Sequence, residues 1–178
     1  NKGSDGLING VQWRDVESGE TFQPQAKVVV NATGAFTDSV RQLAEPDAAR
    51  MLATSQGAHL VFDRSFLPGK NAILVPHTKD GRVMFAIPWH GHTLVGTTDT
   101  PIQEPSLEPV ALASEIDFML ETAKLYLEKK PSRADIKSVF AGIRPLVKNR
   151  QPGKTAALSR DHAIHIDESG LLSITGGK

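Results

Sequence analysis

The sequence predicts an α+β fold, mostly antiparallel sheet with one covering helix, and three observations carry that reading. Short β-prone runs alternate with turn signals along most of the chain, among them Asn9-Gly10, Ser18-Gly19, Asp80-Gly81 and Glu168-Ser169-Gly170. One long stretch has a clear helical period, with Ile116, Leu120, Ala123 and Leu127 on one side and Met119 beside them. The strands come in hairpins rather than as a βαβ series.

The elements follow in order. "LINGVQWRDVESGETFQPQAKVVV" reads as a small antiparallel meander feeding the apolar run Lys27-Val28-Val29-Val30. The polar turn Asn31 to Gly34 leads into a helical stretch with Val40, Leu43 and Ala44 on one side, a strand–glycine turn–helix geometry that brings backbone N–H groups to a ligand. "QGAHLVFDR" and "NAILVPH" are strands, "VMFAIPW" returns after Asp80-Gly81, and "HGH" turns into "TLVGTTDT". A proline-dotted connection precedes the main helix, where Glu115, Asp117 and Glu121 lie early and Lys124, Lys129 and Lys130 late, matching the helix dipole. "KSVFAGIRPLV" is a strand whose regular pattern ends at Pro145, and "AALSRDHAIHID" with "LLSITGG" makes a last hairpin. The expected division is residues 1–50 (meander, strand and helix), 51–167 (the antiparallel body) and 168–178 (a returning strand).

Composition bounds the function. The chain has 178 residues, 39% of them hydrophobic, enough for one good core and part of another. Twenty basic residues balance twenty acidic ones, so no global field attracts nucleic acid or an anionic membrane. The absence of cysteine excludes disulfides, thiolate catalysis and cysteine-based metal sites. It is compatible with a reducing, cytoplasmic setting. Nothing approaches the roughly 18 apolar residues of a membrane span, and no signal-peptide pattern is present. The opening "NKGSDG" and the ending "TGGK" both look like interior sequence, so the expectation is a fragment of a larger protein.

Several residues are candidates for chemistry. Arg144 sits among Val139, Phe140, Ile143 and Leu146, where a guanidinium needs a partner. Either it clamps a phosphate or carboxylate, or it forms an internal salt bridge, and pattern alone favours the second. His59 would serve as acid or base near neutral pH, or simply pack on its strand. His77, His90 and His92 fall at strand ends or turns with no third ligand at metal spacing, so no metal site is expected. Thr97, Thr98 and Asp99 close a strand, and Arg160 and His162 lie on the opposite phase of theirs from Asp161. No phosphate-binding loop, dinucleotide fingerprint, nucleophile elbow or zinc-protease helix occurs.

Taken together, "VVVNATGAFTDSV", "QGAHLVFD", "MFAIPWHGHTLVGTTDT", "FAGIRPLV", "ALSRDHAI" and "SITGGK" resemble the FAD-dependent glycerol-3-phosphate dehydrogenases, in that family's order and over nearly the whole chain. The wider glycine-oxidase-like flavoenzymes share the "NATG" turn and the plan, but not usually the full "IPW…GTTD" block. The resemblance implies that residues 1–50 are part of an FAD-binding domain, 51–167 the substrate-binding lobe, and 168–178 the strand returning to the FAD domain. The dinucleotide fingerprint and a C-terminal helical domain of such enzymes would lie outside this chain, and the 178 residues alone are expected to be inactive.

The implied reaction is oxidation of sn-glycerol 3-phosphate to dihydroxyacetone phosphate, with hydride passing from C2 to the flavin N5 and electrons onward to a quinone. Arg144 would bind the phosphate or the oxygen at the reacting carbon, Lys178 would share that task, and Arg160 ranks behind them. His59 would be the base. Ala32, Thr33 and Gly34 would meet the adenosine side of FAD, and Gly176 and Gly177 would let the backbone approach the flavin. The parent protein is expected to touch the inner face of the cell membrane peripherally, through regions not in this chain. Alternatives are a related FAD-dependent oxidase of an amine or 2-hydroxy acid, and a non-catalytic substrate-lobe fragment.

Overall fold

The structure, a computed structural model, describes residues 1–79, 81–148 and 161–177. In chain order its strands and helices begin with β1 (Trp13–Arg14), β2 (Thr21–Phe22), β3 (Val30–Asn31), α1 (Thr37–Ala44) and β4 (Leu52–Asp63). Then come β5 (Ile73–Val75), β6 (Met84–Trp89), β7 (His92–Gly96), β8 (Thr100–Pro101) and α2 (Ala113–Tyr126). The order ends with β9 (Ile136–Val147), β10 (His162–Ile166) and β11 (Leu172–Gly176). The chain divides into two compact units, Asn1–Thr54 with Pro145–Lys178, and Ser55–Arg144.

In the unit Ser55–Arg144, β4 is the central strand. It pairs antiparallel with β7 from His59 to Asp63 and with β8 at Ser55 and Gln56; β9 pairs with it as well. β6 lies beyond β7, and β5 beyond β6. The turn from β6 to β7 is the two-residue loop His90-Gly91, with φ of 44° and 76°. Positive φ at both positions gives the hairpin the twist its strands need. Side chains alternate across the sheet with period two. Ala58, Leu60 and Phe62 of β4, Met84 and Ala86 of β6 and Val95 of β7 turn to one face. There they meet Met119, Leu120, Ala123 and Leu127 from α2 and the turn after it. Full burial of each large side chain in this layer contributes about 1.5–3 kcal/mol. The opposite face carries Gly57 and His59 of β4, Phe85 and Trp89 of β6, and Phe140 and Arg144 of β9. The expected α+β architecture with a covering helix is therefore what forms.

In the other unit, β10, β11 and β3 make a three-stranded sheet. The β10–β11 hairpin is antiparallel, and β11 runs parallel to β3 with Leu172 opposite Val30 and Ser173 opposite Asn31. Asn31 anchors the turn that follows it: its amide donates to the Thr37 carbonyl at 3.0 Å and to Ser173 Oγ at 3.3 Å, while Thr33 Oγ1 donates back to Asn31 Oδ1 at 2.7 Å.

Three expectations need correcting. Leu43 does not face inward from α1: it is 86% exposed, and the buried positions are Thr37 and Arg41. The helix is oriented by an ion pair from Arg41, which a hydrophobic period does not reveal. Of the apolar run before Asn31 only Val30 enters a strand, the two-residue β3, and Val28 and Val30 stay exposed. Lys129 and Lys130 lie past the end of α2, so of the three lysines only Lys124 is in its last turn.

Candidate active site

Two chemistry-bearing side chains share the face of the sheet turned away from α2. Arg144 comes from β9. Its Nη2 donates to Thr97 Oγ1 at 2.9 Å, and its Nη1 lies 3.4 Å from Asp99 Oδ1. The side chain is 13% exposed. The internal ion pair weighed from the sequence is thus present, though long for a charge-assisted bond, whose usual N···O distance is about 2.7–2.9 Å. The hydroxyl of Thr97 and the carboxylate of Asp99 hold the guanidinium from two sides without matching its fork bidentately.

His59 comes from β4. Its ring stacks on Phe140 with centroids 5.0 Å apart and planes 11° apart, and the Trp89 ring centroid lies 6.4 Å from that of Phe140. The stack fixes the plane of the imidazole and gives it an aromatic wall.

Glycines make room for both groups. A Cβ at Gly57 would fall inside the Arg144 guanidinium, with Arg144 Cζ only 2.6 Å away, and a Cβ at Gly96 would fall inside the His59 ring, with Cγ only 2.9 Å away. Glycine within a strand marks such close approach. "QGAH" and "VGTTD" are therefore matched to each other: Gly96 stands opposite His59 in the ladder, and Gly57 lies two residues before His59 on the same face. Gly96→Ala is expected to destabilise the protein by about 1–3 kcal/mol through overpacking. Most of that loss should vanish in a His59→Ala background, as a thermal-melt mutant cycle would read. Equal losses in both backgrounds would show that the ring is not what Gly96 accommodates.

A buried carboxylate missed as a site residue lies on the other side of the same strands. Glu115, in the first turn of α2, accepts from Thr98 Oγ1 and Thr100 Oγ1, both at 2.7 Å, from Gln56 Nε2 at 2.8 Å and from Leu112 N–H at 2.9 Å. Burial pushes its pKa up, but the bonds from Thr100, Leu112, Thr98 and Gln56 outweigh that and hold it below the ordinary value. It stays charged.

The remaining expected site residues belong to the unit Asn1–Thr54 with Pro145–Lys178. β3 and β11 are parallel, so the turn Ala32 to Gly34 and the pair Gly176-Gly177, of which Gly176 ends β11, lie at the same, carboxyl end of the two strands. Gly176 and Gly177 have φ of 86° and 75°, a left-handed conformation that other residues rarely adopt. Arg160 and Lys178 lie outside the described residues, as does Asp80 of the expected turn.

The fold and this geometry define a class. Residues 2–178 match the FAD-dependent oxidoreductase (DAO) family, and the chain belongs to it. Within that class it is similar to the mitochondrial glycerol-3-phosphate dehydrogenase of Homo sapiens, 40% identical over 173 residues, 96% of this chain and 24% of that protein. It is also similar to the structure of glycerol-3-phosphate dehydrogenase from Bacillus halodurans complexed with FAD. There the TM-score is 0.83 at 33% identity, covering 99% of this chain and 33% of that one. Glycine oxidase from Bacillus cereus shares the fold, with a TM-score of 0.55 at 18% identity over 98% of this chain and 42% of that one. The chain spans about a quarter of the length of the curated relatives it matches.

The residues present fit FAD. In open α/β sheets ligands sit at the carboxyl ends of parallel strands, where glycines let the backbone approach. Gly34 has φ of 59°, and among the described residues nothing lies within 4 Å of where its Cβ would stand.

Proposed function

We propose that this chain is the substrate-facing part, with a portion of the FAD site, of an enzyme that oxidises sn-glycerol 3-phosphate to dihydroxyacetone phosphate. The observation that carries the reading is the placement of Arg144 and His59 on one sheet face, each seated over a glycine. The unit Ser55–Arg144 supplies the substrate lobe. Ala32, Thr33, Gly34, Gly176 and Gly177 contact the cofactor. Bound FAD supplies the two-electron acceptor at its N5.

Arg144 holds the anionic substrate by charge-assisted bonds and so fixes C2 by binding energy remote from the bond that breaks. His59 takes the C2 hydroxyl proton as the C2 hydrogen departs with its electron pair, leaving the ketone of the product. Phe140 keeps the imidazole in plane. Lys178 and Arg160 are further candidates for the anion, but they lie outside the described residues and the reading does not depend on them. Electrons then pass to a quinone. A quinone resides in the bilayer, so the whole protein works peripherally at the cytoplasmic face of a membrane. No helix among the described residues is long and apolar enough to cross one.

The test is an anaerobic titration of the full-length flavoprotein, followed by flavin absorbance. Glycerol 3-phosphate is expected to bleach the flavin, and His59→Gln to slow the bleaching about 10²–10⁴-fold, the usual worth of general base catalysis. A flavin that ignores glycerol 3-phosphate but is bleached by an amine or a 2-hydroxy acid would replace this substrate with that one.

A further inference from the structure

Arg144 and Glu115 are held by the same two stretches of backbone from opposite faces. In the run "TTDT", Thr97 and Asp99 contact Arg144, while Thr98 and Thr100 donate to Glu115. In "QGAH", Gly57 seats Arg144 and His59 lies two residues on, while Gln56 donates to Glu115. Thr98 Oγ1 also accepts from the Ala58 N–H at 2.9 Å, tying the strand that carries His59 to the segment that holds Arg144. A helix cap alone would account for the bond from the Leu112 N–H. It does not account for the two threonines that bracket Asp99.

We infer that Glu115 is a positioning residue for the substrate-binding arginine: through Thr98 and Thr100 it sets the backbone from which Thr97 and Asp99 hold the Arg144 guanidinium. Glu115 touches no reacting atom. Its carboxylate has acceptor sites for several donors at once and, being charged and 3% exposed, fixes them strongly. Thr98 and Thr100 share Oε1, and Gln56 and the Leu112 N–H share Oε2. Glutamine keeps one acceptor oxygen and puts an NH₂ at the other position. Either the two threonines or Gln56 and the Leu112 N–H then lose their acceptor, and the shared anchor of the two stretches is broken.

The inference rests on the proposed substrate, and the experiment separates the two. Binding of dihydroxyacetone phosphate is read from its perturbation of the oxidised flavin spectrum in the FAD-loaded full-length enzyme. Glu115→Gln is expected to weaken binding about tenfold, but by less than about twofold in an Arg144→Lys background, where no fork remains to be aimed. Thr98→Val should repeat this pattern and Thr98→Ser should restore binding, so the cycle does not depend on Glu115→Gln folding. Equal weakening in both backgrounds means that Glu115 is only structural, and overturns the inference. A wild-type enzyme that glycerol 3-phosphate does not reduce overturns the substrate reading, and this inference with it.

Discussion

Replacing Arg144 with alanine in the FAD-loaded full-length protein is expected to weaken substrate binding about 10²–10⁴-fold, the worth of two charge-assisted bonds at about 1.5–3 kcal/mol each. The structure adds a second contribution. Asp99 faces the guanidinium at 3.4 Å and would be left facing an anionic ligand. Arg144→Ala with Asp99→Asn should therefore bind the substrate more tightly than Arg144→Ala alone, although it has lost one more polar partner. Arg144→Lys should fall between wild type and alanine, because an ammonium keeps the charge but cannot bridge Thr97 and a phosphate with a planar fork. Steady-state kinetics with glycerol 3-phosphate would read these as changes in KM, provided the flavin content is unchanged. A KM within twofold of wild type for Arg144→Ala would remove Arg144 from the substrate site.

Period-two alternation made much of this site legible. It places Phe140 and Arg144 on one face of their strand, and Gly57 and His59 on one face of theirs, before any pairing is known. What it cannot supply is register, since a one-residue slip would exchange the faces. The seats of the two groups depend on register: Gly96 opposite His59, and Arg144 against residues more than 40 positions earlier in the chain. Glu115 was hidden for another reason. An acidic residue in the first turn of a helix has a sufficient explanation in the helix dipole, and its sequence neighbours do not reveal Gln56, Thr98 and Thr100. Glycines inside the strands were the available signal. Gly57 and Gly96 interrupt otherwise β-prone runs without a turn, and that pattern marks close approach rather than chain reversal. The short α1 was misread by the same logic in reverse. Val40, Leu43 and Ala44 mark an apolar side in its sequence, whereas its orientation is set by Arg41 reaching Asp167, 126 residues away.

That ion pair carries the largest expected effect on stability. Arg41 and Asp167 are 5% and 7% exposed. The guanidinium meets the carboxylate at 2.6 Å through Nη2 and at 3.0 Å through Nε, while its Nη1 donates to the Ala49 carbonyl at 2.8 Å. Asp38 lies 3.7 Å from Arg41, Glu45 faces it as a further acid, and His165 Nε2 is 3.0 Å from Asp167. Asp167→Ala takes away the carboxylate that meets the buried guanidinium twice and leaves it only the longer approach of Asp38 and the more remote Glu45, so it is expected to cost about 3–5 kcal/mol. At about 2–4 °C per kcal/mol for a domain of this size, the melting temperature should fall by roughly 6–20 °C.

The pH dependence follows from the same bonds. Hydrogen bonding by Arg41 holds the Asp167 pKa below its ordinary value of 3.8, against the opposing effect of burial. The unfolded chain therefore takes up this proton more readily than the folded one. The stabilisation is complete above the unfolded value and is lost as pH falls through the lower folded value. Wild-type stability should thus decline on acidification below about pH 5, and Asp167→Asn should be less stable at neutral pH yet decline less steeply in acid. Thermal melts of both proteins between pH 7 and pH 3 would read this directly. Parallel curves would mean that the proton on Asp167 is not what acid supplies, and the pair would then be a packing contact whose charge does not matter.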